Sequence, residues 1–65
     1  MLYKISVGGK PSKTLESFDL ALAEISKDLY IQQINREYHL KQLQKCGITW
    51  FSYGFTTATI ELVKE

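Results

Sequence analysis

The first residues alternate. Tyr3, Ile5 and Val7 fall on one side and Leu2, Lys4 and Ser6 on the other, a period of two that predicts a strand from Leu2 to Val7. Gly8-Gly9-Lys10-Pro11-Ser12 stops it with two glycines free to turn and a proline that offers no donor. Lys13-Thr14-Leu15-Glu16 fits either a short second strand closing a hairpin or the first turn of a helix capped by Ser12 or Thr14. From Ser17 the period changes. Phe18, Leu22, Ile25 and Leu29 recur at helical spacing with Ala21 beside them, which predicts an amphipathic helix over 17–29. Ser17 suits its N-cap, Asp19 the positive end of its dipole and Lys27 the negative end.

A second helical stretch is expected from Tyr30 to Cys46. It is rich in the helix formers Gln, Lys, Arg, Glu and Leu, and Gly47 follows as its stop. Its apolar stripe is out of phase with the first. Ile31, Ile34 and Tyr38 make one row, while Leu40 and Leu43 point elsewhere. Either the chain breaks near Asp28 into two helices, or one long helix shows different faces along its length. Two apolar sides fit an element wedged between the first helix and a sheet. They also fit helix packing across a two-fold axis, for which Ile34 and Tyr38 are the candidate self-association residues.

Ile48 to Glu65 reads as a β-hairpin dense in Ile, Thr, Trp, Phe, Tyr and Val, with Gly54 as the turn signal. With the turn at Tyr53-Gly54 and Ser52 opposite Phe55, one face carries Thr49, Phe51, Thr56, Ala58 and Ile60. The other carries Ile48, Trp50, Phe55, Thr57 and Thr59. Trp50 and Phe51 are neighbours, so in a strand they point to opposite faces in any register. At least one large aromatic therefore faces away from the helices. Large rigid aromatics supply much of the energy of protein contacts, so Trp50, Phe51, Tyr53 and Phe55 are the candidate partner-binding residues.

The elements sum to a small α+β domain using all 65 residues. The expected order is β-(β)-α-α-β-β: a three- to four-stranded, mainly antiparallel sheet with one or two helices packed on one face. Hydrophobic residues at 45% and charged residues at 23% are those of a globular chain. Domains this small often need a disulfide, a metal or a second subunit. One cysteine and one histidine provide neither an intrachain disulfide nor a protein-only zinc site, which leaves association as the reinforcement. A formal net charge of +1 is not the basic footprint of a duplex-DNA binder. No apolar run approaches the ~20 residues of a membrane span, and Met1 to Ser6 has no signal-peptide core. The single thiol suggests a reducing compartment, and the expected location is cytoplasmic.

The catalytic constellations are weak. His39 and Cys46 on one helix would be ~10.5 Å apart along its axis, beyond the reach of a nucleophile pair. His39 is expected on the helix surface and Cys46 as a small buried hydrophobe. The glycines at 8 and 9 lack phosphate-loop spacing, and Pro11 removes an amide that such a cradle would use. The carboxylates alternate with lysines, and no two are brought together in an apolar setting. Tyr53-Gly54-Phe55 resembles the centre of the aromatic RNA-binding motif of RRM domains. However, Phe51 stands where a cation is wanted and Ala58 where an aromatic is wanted. The expectation is a non-enzymatic protein-binding module without cofactor, forming a homodimer, of the kind that would suit a phage-encoded or accessory modulator or inhibitor of a larger protein. The alternatives are a single-stranded nucleic-acid binder stacking bases on the hairpin aromatics, and a purely structural homo-oligomer subunit.

Overall fold

A computed structural model describes residues 1–63. Six elements follow in order: β1 (Leu2–Val7), β2 (Lys13–Leu15), α1 (Phe18–Leu29), α2 (Arg36–Cys46), β3 (Ile48–Tyr53) and β4 (Thr56–Val63). The strands form one antiparallel sheet in the order β2-β1-β4-β3. Both helices lie on the same face, α1 over β1 and β2, α2 over β3 and β4. The expected α+β architecture is the observed one, with four strands and two helices.

Two ambiguities resolve. Residues 13–15 are a strand, because Tyr3, Lys4 and Ile5 pair with Leu15, Thr14 and Lys13. The helical stretch is two helices. The Ser17 side chain accepts from the amides of Asp19 and Leu20 and opens α1, which closes at Tyr30 in the left-handed conformation at φ 57°. The Asn35 side chain then accepts the Tyr38 amide at 3.1 Å and opens α2. The second helix therefore starts six residues later than Tyr30. Ile31 and Ile34 lie in the connecting loop, half-buried against the core, and α2 turns His39, Leu40 and Leu43 to the sheet. The row of Ile31, Ile34 and Tyr38 is not a helix stripe. Gly47 closes α2 at φ 78° and leads straight into β3.

The core joins the inner residues of the sheet, Ile5, Val7, Phe51, Ala58 and Ile60, to Phe18, Ala21, Leu22, Ile25 and Leu29 of α1 and Leu43 of α2. Ile25 and Ile60 are completely buried; burying one such side chain is worth about 1.5–3 kcal/mol. At the N-terminal ends of the helices, Arg36 Nε donates to Asp19 Oδ1 at 2.7 Å and its guanidinium lies 5.6 Å from the Phe18 ring centroid. The Arg36 hydrogen bond holds the Asp19 carboxyl below the usual carboxylate range. No helix among the described residues is long and apolar enough to cross a membrane.

Candidate interaction site

The C-terminal hairpin turns one step later than expected. Tyr53 pairs with Thr56 and Ser52 with Thr57, so Gly54 and Phe55 form the two-residue loop. Gly54 has φ 61° and Phe55 is not in the positive region; a glycine alone at the first loop position is the type II′ arrangement. The shift moves each partner by two residues, which preserves faces. Thr49, Phe51, Ala58 and Ile60 share one face as expected, and it is this face that meets the helices; Trp50 points away, across from Thr59 and then Ser6.

The four partner-binding candidates therefore separate. Phe51 is 5% exposed and belongs to the core, and it is withdrawn from the contact surface. Trp50 is 53% exposed, Tyr53 58%, and Phe55 stands fully in solvent at the loop tip. Of the self-association candidates, Tyr38 is exposed on the first turn of α2, edge-on to His39. Ile34 lines a groove beside β3.

That groove has a volume of about 240 Å³. Ile31, Ile34 and Phe51 give it apolar walls, Gln33, Asn35 and Ser52 supply polar groups, and His39 and Trp50 complete it. It runs along a free strand edge. Antiparallel pairing alternates which residues turn their backbone to the neighbour. Leu62 N–H donates to Gly47 C=O at 2.9 Å, and Gly8 N–H to Thr57 C=O at 3.0 Å. Thr49, Phe51 and Tyr53 thus bond to β4, while Ile48, Trp50 and Ser52 turn their N–H and C=O groups outward. Among the described residues no backbone group takes up that edge. The opposite edge, β2, has three residues and a lysine; β3 has six and no charge. Short strands and charges are how sheets guard their edges, and β3 uses neither.

His39 differs from expectation. It is half-buried, its ring stacked on Phe51 with centroids 4.0 Å apart, and its Nδ1 lies 2.6 Å from Thr49 Oγ1. Burial pushes its pKa below the ordinary histidine value. Its position is explained by Thr49, an inward polar residue in an otherwise apolar row, which needs a partner when 1% exposed. Cys46 is exposed at the end of α2, not buried. Among the described residues no three His, Cys, Asp or Glu side chains gather as a metal site would require. A second groove of about 340 Å³, apolar with Tyr3, Leu40, Leu43 and Leu62 in its wall, lies between α2 and the middle of the sheet. Neither groove is readable from the sequence, since each depends on where α2 and its preceding loop settle. Comparison with protein-family models, curated proteins and solved structures finds no match.

Proposed function

We propose that this protein is a non-catalytic binding module that contacts another protein through the tip and free edge of its C-terminal hairpin. The observation that carries this reading is the combination of Trp50, Tyr53 and Phe55, all exposed, on a hairpin whose edge strand is uncharged and unpaired among the described residues. Exposed aromatics at the end of a rigid hairpin bring large area at little entropy cost. An open edge adds main-chain hydrogen bonds to whatever docks there. Base stacking is less well supported. Binding single strands needs cations beside the aromatics, and the cross-strand neighbours of Trp50 are Thr59 and Ser6. A reducing, cytoplasmic setting fits a single exposed thiol.

The test is photo-crosslinking in cells with benzoylphenylalanine in place of Phe55, with the same label in place of Lys27 on α1 as control. A discrete adduct from position 55 and none from position 27 is expected. Equal, diffuse labelling from both positions would overturn the reading.

A further inference from the structure

We propose that the free edge of β3 pairs with β3 of a second copy about a two-fold axis through Trp50, joining two four-stranded sheets into one of eight. This rests on the reading that the β3 edge is a contact site, and it commits that edge to self-association while leaving Phe55 at the tip for a different partner. The outward backbone groups belong to Ile48, Trp50 and Ser52, spaced evenly about the middle one. An antiparallel copy centred on Trp50 sets Trp50 against Trp50 and Ile48 against Ser52 at both ends. All three residues then exchange their hydrogen bonds in full. A patch that complements itself in this way closes as a dimer and cannot propagate.

The rest of the strand agrees with that register. It carries no charge, so no like charges meet across the axis, which would be destabilising. On the outer face the two Trp50 rings become cross-strand neighbours, giving cover to a half-exposed tryptophan that the fold leaves bare. On the inner face Tyr53 comes level with Gly47 of the second copy, where nothing lies within 4 Å of the missing Cβ. An edge of six residues is at the small end of specific interfaces, so a dissociation constant of micromolar order is expected.

Sedimentation equilibrium from about 1 µM to about 500 µM brackets that constant. The full chain is expected to move from its 7.5 kDa mass to twice that value. Trp50→Lys and Trp50→Glu each place like charges on the axis. Each is expected to stay monomeric alone, and an equimolar mixture is expected to form a one-to-one heterodimer. Ser52→Pro removes an outward amide without touching the ladder to β4 and is expected to be monomeric with an unchanged circular dichroism spectrum. A wild-type chain that stays at 7.5 kDa throughout would overturn the proposal, and so would a dimer that survives Trp50→Lys or Ser52→Pro. A monomer that still gives a foreign adduct from position 55 removes the edge pairing alone and leaves the binding-module reading standing. Loss of that adduct from an intact dimer does the reverse.

Discussion

His39 Nδ1 and Thr49 Oγ1 are 2.6 Å apart, and this bond links α2 to β3 across the inner face of the sheet. One atom donates and the other accepts. Thr49 is buried, so removing its partner leaves a hydroxyl with nothing to bond. His39→Phe keeps the stack on Phe51 and orphans that hydroxyl, which is expected to cost about 1–3 kcal/mol. Thr49→Val loses one hydrogen bond to a ring that still reaches solvent, about 1 kcal/mol. Combining the two should recover part of the His39→Phe loss, because neither group is then orphaned. Urea unfolding of the three variants checks this, and strictly additive losses would contradict the pairing.

The same histidine makes stability depend on pH. Burial lowers its pKa in the folded state, while the unfolded chain keeps an ordinary value of about 6.5. The unfolded state then binds more protons between the two values, so stability is complete above pH ~6.5 and is lost as pH falls towards the folded value. The urea midpoint of the wild type is expected to drop between pH ~7.5 and ~5.5. His39→Gln should flatten that slope. Parallel slopes in the two proteins would contradict the assignment.

Two positive-φ positions differ in how well their residues suit them. Tyr30 adopts φ 57° with its ring in solvent, a conformation that disfavours any residue with a Cβ. Tyr30→Gly should be neutral or stabilising by up to about 1 kcal/mol. Gly54 has open space around it but φ 61°, so Gly54→Ala should destabilise by about 1 kcal/mol through backbone strain alone. Thermal melts that move together would contradict this account.

The period of two in Leu2–Val7 and the helical spacing of Phe18, Leu22, Ile25 and Leu29 made β1 and α1 legible, since both patterns arise from burying one side of a regular element. The faces of the final hairpin were legible for the same reason, although its turn was not. Gly54 fits either central position of a two-residue loop, and the II′ geometry that chooses between them is a property of the backbone. The start of α2 was misplaced because Tyr30 is not a residue that announces a left-handed break, whereas Asn35 is an ordinary cap inside a polar run. The Phe51 burial, the His39–Thr49 bond and the groove beside β3 depend on which strand became the edge. Strand order is set by long-range pairing that no local pattern records.

The most direct test of the central claim, that the edge of β3 is a contact surface, is hydrogen exchange at the amides of Ile48, Trp50 and Ser52. These three face outward, while the Thr49, Phe51 and Tyr53 amides face β4. In dilute solution the outward three should exchange rapidly and the inward three slowly. At high protein concentration Ile48, Trp50 and Ser52 should become protected while the inward set is unchanged. Exchange at these three that is fast at both concentrations would contradict edge pairing between copies, and protection in dilute monomer would show that the edge is already covered within one chain.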